Sequence, residues 1–241
     1  MNDVTEAPQR KRAYAYIDGF NLYCAMKEAD LRDCYWSNYR TLARELIPAE
    51  YDVISVKWFT ARIRQTNPQQ QDRAQRQNVF IRACEASDVS PIYGIHKPRD
   101  HYCPLCKSAY ANLRCPLCGG NYAKNDEKRT DVNIACNLIA DAHNDAYNYA
   151  LLITADDDAT PAVLTVKELF PNKFIRVALP PGRAYAGSKL ATSAHDHRLI
   201  ERPLLLKCAL PPSIKLQFHT ITIPPKWANY ISDARAKGLR T

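Results

Sequence analysis

The sequence has no long hydrophobic run. No stretch of its 241 residues approaches the roughly 18 apolar residues that a membrane-spanning helix needs. The opening residues, MNDVTEAPQRKR, also lack the apolar segment of a secretory signal. Low-complexity tracts are absent, and the only internal repeat is a pair of cysteine motifs. These absences predict a cytoplasmic protein with no membrane partner.

Composition and length favour an ordinary folded protein. Apolar residues make up 46% and charged residues 24%, which argues against a disordered, collagen-like or coiled-coil chain. The length allows one α/β domain with a small added module. The predicted organisation is a flexible tail (1–12), a main domain (13–200) with an inserted cysteine module (101–122), and a C-terminal extension (201–241).

Acidic residues are scarce in the last third of the chain. Residues 163–241 contain 13 Lys and Arg but only 4 Asp and Glu, whereas residues 1–162 contain 20 and 21. The net charge is +8, and the isoelectric point is near 9.0. Such an excess favours a polyanionic partner, most commonly nucleic acid. A homo-oligomer is possible, but the sequence does not indicate one.

Strand and helix patterns alternate along the chain. Short apolar or alternating segments predict strands, and apolar residues at helical spacing predict the helices between them. This alternation predicts a mainly parallel sheet covered by helices. The predicted strands span 13–18, 53–59, 91–96, 149–154, 174–179 and 214–223, and the predicted helices span 19–29, 39–46, 68–86, 130–143 and 162–170.

Four of the nine cysteines form a C-x2-C-x8-C-x2-C array. In a reducing compartment, an odd number of cysteines indicates metal ligands and buried thiols rather than disulfides. Four thiolates at this spacing match a closed tetrahedral zinc site, which leaves no open position for catalysis. An iron site or unliganded thiols are the alternatives. The predicted zinc ligands are Cys103, Cys106, Cys115 and Cys118.

Acidic residues recur where predicted strands end and helices begin. Asp18 closes the first strand, Asp131 opens a helix behind a predicted N-cap at Thr130, and Asp156 and Asp158 follow the fourth strand. Ligands of open parallel sheets bind beyond the carboxyl ends of the strands. Asp18 and Asp156 would be neighbours there if the first and fourth strands are adjacent.

Crowded carboxylates repel one another unless a cation binds between them. Hard oxygen ligands favour Mg²⁺ or Mn²⁺, which can activate water for attack on a phosphodiester. Helix capping is the alternative role for each residue alone, including Asp157. Capping does not explain why an aspartate follows a hydrophobic strand twice, so the sequence favours a shared metal site.

Three ordered blocks resemble those of the NYN-domain family, which is related to PIN-like ribonucleases. The blocks are YIDGFNLY (16–23), KRTDVNIACNLIADA (128–142) and LLITADDDATPAV (151–163). The cysteine insert resembles that of a bacterial subgroup with a zinc knuckle. The resemblance implies a PIN-like three-layer α/β/α sandwich, with its first and fourth strands adjacent, and a Mg²⁺ or Mn²⁺ site. It implies catalytic roles for Asp18, Asp131, Asp156 and Asp158 as metal ligands and for Asn21 as an orienting amide.

The chain also departs from the family pattern. Asp157 stands where the family has a small polar residue, Ala159 replaces the usual Phe, and Asn137 stands where many relatives have an acid. The leading hypothesis is a metal-dependent endoribonuclease. A nucleic-acid-binding or adaptor module with a decayed centre and a DNA-directed flap or nicking nuclease are the alternatives. Four basic residues are predicted to guide phosphates toward the site: Arg62, Arg64, Arg73 and Arg76.

Overall fold

A computed structural model describes most of the chain. The described residues are 11–63, 68–96, 101–102, 109–110, 127–183 and 189–239. Arg64 and the four predicted zinc ligands lie outside these ranges, so the zinc site stays a prediction. Among the described residues, no helix has the length and apolar character needed to cross a membrane.

Six parallel strands form the central sheet. Their spatial order is β6-β5-β4-β1-β2-β3. Every residue of β4 is buried, as expected for a parallel strand that is covered on both faces. The strands are β1 Lys11–Asp18, β2 Tyr51–Thr60, β3 Ser90–Tyr93, β4 Tyr149–Ile153, β5 Phe174–Leu179 and β6 Asp196–Leu199.

Helices cover both faces and complete the predicted three-layer α/β/α sandwich. One core contains the β1 residues Ala15 and Ile17 with side chains of α1, α2 and α3, and the other contains Tyr16 with side chains of α4, α5 and α6. The helices are α1 Gly19–Glu28, α2 Tyr39–Leu46, α3 Pro68–Glu85, α4 Thr130–His143, α5 Thr160–Leu169, α6 Lys189–Ser193, α7 Arg202–Lys207 and α8 Pro225–Ala236.

The chain leaves the sheet earlier than the sequence pattern predicts. The predicted strand 91–96 divides at Gly94, because only β3 joins the sheet, while Ile95–His96 pairs antiparallel with Glu127–Lys128. A second two-residue ladder joins His101–Tyr102 to Ala109–Tyr110. These two ladders lie in the segment that carries the cysteine array.

The C-terminal residues pack onto the core formed with α1, α2 and α3. Trp227 of α8 contacts the rings of Trp36 and Phe80, and the indole N–H of Trp36 donates to the Pro211 carbonyl at 2.8 Å. The predicted strand 214–223 is instead a hairpin of β7 (Ser213–Lys215) and β8 (Thr220–Thr222). A Leu216–His219 backbone hydrogen bond closes its turn.

Candidate functional site

We call the region beyond the carboxyl ends of β1 and β4 the crevice, because the strand order reverses its direction there. From β1 the chain proceeds outward through β2 to β3, then returns to β4 on the other side of β1. In such a sheet, this reversal of direction marks the usual ligand-binding crevice. The expected adjacency of the first and fourth strands is confirmed, since Ala13–Ile17 pairs with Tyr149–Ile153.

Asp18 is the buried carboxylate of this crevice. It ends β1 and is only 4% exposed. Its Oδ1 accepts a hydrogen bond from the Asn21 backbone N–H at 3.0 Å, so Asp18 also caps α1. Its Oδ2 accepts the Thr154 hydroxyl at 2.9 Å. The capping role that the sequence offered as an alternative is therefore confirmed for Asp18, while its role in a shared metal site stays a prediction.

Thr154 connects the two acidic segments. Its hydroxyl donates to Asp18 and accepts the Asp156 backbone N–H at 3.2 Å. A second link runs beside it, because the Asn21 side-chain oxygen accepts the Ala155 backbone N–H at 3.1 Å. Together these bonds hold the turn after β1 against the turn after β4. Asn21 therefore joins the two turns, and its role as an orienting amide in catalysis stays a prediction.

The three consecutive aspartates after β4 have different roles. Asp156 Oδ1 accepts the Asp158 backbone N–H at 3.1 Å and caps the short 3₁₀ turn Asp157–Ala159. Asp157 Oδ1 accepts the Leu190 backbone N–H at 3.0 Å, within α6. The extra charge of Asp157 is therefore directed toward α6. Asp156 is partly buried and Asp158 is exposed.

Asp131 lies in the first turn of α4, at the same end of the sheet. This helix packs against β1, β2 and the turn Asp157–Ala159. The predicted N-cap is wrong by one residue: Arg129 is the cap, with a left-handed φ of 80°, and Thr130 is the buried first residue of the helix. No side-chain hydrogen bond caps this helix.

A partly buried lysine lies beside Asn137. Lys57 Nζ, on β2, donates to Asn137 Oδ1 at 2.9 Å and to Asp141 Oδ2 at 2.6 Å. The Tyr16 hydroxyl donates to the same Asp141 oxygen at 2.6 Å. Because the ring is buried and its hydroxyl donates to Asp141, the pKa of Tyr16 lies well above its usual value. Lys57 thus places a cation between Asn137 and Asp141.

The three described arginines of the predicted phosphate path differ in their surroundings. Arg62 follows β2 at the carboxyl end of the sheet, with its guanidinium 4.5 Å from the centre of the Tyr93 ring. Arg73 is exposed on α3. Arg76 forms an ion pair with Asp72 one helical turn away. Of the three, only Arg62 lies in the loop that directly follows a strand of the sheet, whereas Arg73 and Arg76 lie on α3.

The oxygen donors at the crevice suit a hard divalent cation. Carboxylates and amide oxygens are the ligands of Mg²⁺, which needs only one or two protein carboxylates. Asp18, Asn21 and Asp156 supply such donors. Within the described ranges, however, no three His, Cys, Asp or Glu side chains are grouped to hold a metal ion.

Three residues of this region were not singled out from the sequence. Phe20 and Tyr93 are exposed aromatic residues at the carboxyl ends of β1 and β3. Lys57 leaves a sequence signal, because it is a charged residue amid alternating apolar positions of a half-buried strand. Tyr23 of α1 is also exposed, at 42%.

Comparisons with known proteins support the fold alone. No protein-family model matches the chain, and no curated protein matches it. The chain is similar to a crystal structure of a protein of unknown function from Vibrio parahaemolyticus, with 20% sequence identity and a TM-score of 0.51. The match covers 82% of this chain and 97% of that chain. At this identity the similarity establishes the α/β/α architecture but no activity.

Proposed function

We propose that this protein is a metal-dependent endoribonuclease of the NYN, PIN-like type. The observation that carries the proposal is the hydrogen-bonded connection from Asp18 through Thr154 to Asp156 across the crevice between β1 and β4. It holds two acidic segments, 136 residues apart in the chain, at the carboxyl ends of adjacent strands. The three sequence blocks that resemble the NYN family contain these residues.

The proposed roles follow from the contacts. Asp18 and Asp156 would hold Mg²⁺ or Mn²⁺, with Asp131 and Asp158 at the rim and Asn21 fixing the two turns. When bound, the ion supplies an activated water and neutralises charge on the phosphate. Thr154 donates to Asp18 and thereby fixes the direction of its carboxylate. The net charge of +8 suits a polyanionic substrate.

The test is cleavage of a labelled single-stranded RNA with Mn²⁺ or Mg²⁺, with a DNA oligonucleotide run in parallel. We expect Asp156→Asn to lower the rate about 100-fold or more, because one ligand charge is lost. The amide can still accept the Asp158 N–H. Asp233→Asn on α8 is the matched control and should cleave like the wild type. Equal cleavage by Asp156→Asn and the wild type would exclude this site, and faster DNA cleavage would favour a DNA-directed nuclease.

A nucleic-acid-binding module without nuclease activity is the second candidate. It is favoured by the Lys57–Asn137 contact and by the absence, in the described parts of the chain, of a three-ligand metal group. It predicts RNA binding that weakens steeply with salt and no metal-dependent turnover. Cleavage that is abolished by EDTA and by Asp156→Asn would reject this candidate.

The cysteine module has a separate test. We propose that Cys103, Cys106, Cys115 and Cys118 hold one structural zinc ion, on the strength of their spacing. The purified chain should contain about one zinc per molecule by elemental analysis. Cys106→Ser should lose it, whereas Cys136→Ser, at an exposed free cysteine on α4, should retain it.

A further inference from the structure

An exposed phenylalanine lies beside the acidic crevice. Phe20 is the second residue of α1 and is 56% exposed, although its neighbours Asp18 and Gly19 are buried. A Cβ atom on Gly19 would lie 2.0 Å from the Trp58 indole nitrogen and 2.8 Å from the Phe59 carbonyl. The first turn of α1 therefore rests directly on the end of β2. This close approach fixes where Phe20 emerges.

Arg62 lies three residues beyond Phe59, at the same end of β2. Its guanidinium lies over the Tyr93 ring, donates to the Tyr93 hydroxyl at 3.0 Å and donates to Asn78 Oδ1 at 3.2 Å. Gln77 holds the loop itself, since it accepts the Ile63 N–H and donates to the Ala61 carbonyl. Only two of the five guanidinium N–H groups are used in these bonds. Arg62 is thus an exposed cation in a preset position.

We propose that Phe20 and Arg62 form a two-point binding site for single-stranded nucleic acid across the carboxyl ends of β1 and β2. Phe20 stacks on an unpaired base, and Arg62 binds a backbone phosphate. Neighbouring strands are about 4.8 Å apart, so the carboxyl ends of β1 and β2 are adjacent, with the Arg62 guanidinium on the side of β3. The inference deepens the proposed function and rests on it for the placement of the strand that is cut.

The chemistry of the pair favours a single strand over other ligands. An aromatic platform beside a cation is the usual arrangement for binding unpaired bases without sequence preference. In a duplex each base is already stacked between its neighbours, so Phe20 would have no free base face. The net charge of +8 favours an anionic partner, and the exposed aromatic ring favours a nucleic-acid strand over an acidic peptide because it can stack on a base.

The first experiment measures stacking. Binding of a fluorescent ten-nucleotide oligouridine is followed by anisotropy in EDTA, so that no cleavage occurs. Phe20→Ala should weaken binding about tenfold, Phe20→Leu should weaken it similarly, and Phe20→Trp should restore it. Phe218→Ala is the matched control, because Phe218 is 87% exposed in the turn between β7 and β8.

The second experiment measures the phosphate contact. Arg62→Gln should reduce the slope of log Kd against log salt by about 0.7, the value for one phosphate contact on a single strand. Arg44→Gln, at an exposed residue in the last turn of α2, removes one charge near the amino end of β2, at the opposite edge of the sheet, and should leave the slope unchanged. Phe20→Ala should also leave the slope unchanged, since it removes no charge.

The outcomes separate this inference from the proposed nuclease. Weakened binding by Phe20→Ala, with a salt slope changed only by Arg62→Gln, supports the two-point site even if no variant cleaves RNA. Metal-dependent cleavage with oligouridine binding unchanged in Phe20→Ala overturns the site but leaves the nuclease intact. Failure of the wild type to bind the oligonucleotide, or equal weakening by Phe218→Ala, also overturns it.

Discussion

Two aspartates on the same side of the sheet have different surroundings. Asp18, at the carboxyl end of β1, accepts hydrogen bonds from a threonine hydroxyl and a backbone N–H. Asp141, near the carboxyl end of α4, accepts hydrogen bonds from the Lys57 ammonium and the Tyr16 hydroxyl. The Thr154 and Asn21 groups are neutral donors that orient the Asp18 carboxylate, whereas the Lys57 ammonium compensates the charge of Asp141.

The comparison separates a structural carboxylate from a candidate ligand. Lys57 and Asp141 are 17% and 16% exposed, so each ion depends on the other for compensation. Asp18 is oriented by two bonds that also fix the turns after β1 and β4. Asp141 therefore stabilises the packing of α4 on the sheet, whereas Asp18 joins the turns after β1 and β4.

The largest expected effect on stability is at the Lys57 pair. Asp141→Ala should lower the free energy of unfolding by about 3 kcal/mol, because it leaves a mostly buried ammonium without its carboxylate. The double variant Lys57→Met, Asp141→Leu should regain most of that loss. Urea unfolding measures the loss in Asp141→Ala and the recovery in the double variant. If Asp141→Ala were as stable as the wild type, the pair would have no structural role and the comparison would fail.

Gly19→Ala should lower the free energy of unfolding somewhat less than Asp141→Ala does. Its Cβ would overlap the Trp58 indole and press on the Phe59 carbonyl, so α1 must move away from β2, at a cost of about 2 kcal/mol. The shift would also displace Asn21 and weaken RNA binding. Gly238→Ala is a matched control for space, since nothing lies within 4 Å of its Cβ position, although its φ of 66° adds backbone strain. Unchanged unfolding and binding in Gly19→Ala would contradict the close contact.

Asp156→Asn should leave stability within about 0.5 kcal/mol of the wild type, because the amide oxygen keeps the Asp158 hydrogen bond. Thermal unfolding of this variant beside Asp141→Asn sharpens the comparison. The crevice variant should lose activity and keep stability, and the α4 variant should lose stability. A large drop in the melting temperature of Asp156→Asn would instead assign it a structural role.

The smallest effect is expected at Asp145, an exposed carboxylate that forms ion pairs with Arg12 and Lys173. Lys173 and Arg12 hold the pKa of Asp145 below its usual 3.8. The folded form therefore binds its proton less readily than the unfolded form, and the contribution is full above pH 3.8 and is lost as pH falls below it. Asp145→Asn should flatten the acid limb of the stability profile. An unchanged acid limb would show that solvent screens these pairs.

The sequence predicts the central sheet well because its signal is local. The apolar run of β4 and the spacing of Ile134 and Leu138 in α4 depend only on burial, so the predicted bounds nearly match the structure. The tail was harder to predict. Trp227 and Ile221 are apolar because they cover the sheet–helix core, a long-range requirement that short-range periodicity does not show.

The candidate site was predicted in part. Aspartates after strands identified Asp18 and Asp156, since strand ends in a parallel sheet meet at one edge. The sequence did not predict the contacts of Lys57 and Tyr93, because these contacts join elements that are far apart in the chain. The N-cap of α4 is Arg129 rather than the predicted Thr130, and no capping pattern predicts the left-handed backbone of Arg129.

The position of β4 beside β1 has a consequence during synthesis. At about 5 to 20 residues per second, the 136 residues between Asp18 and Thr154 take roughly 7 to 27 s to translate. Until then the growing polypeptide contains only half of the crevice. The turns after β1 and β4 therefore cannot be joined before β4 has been synthesised and has emerged from the ribosome.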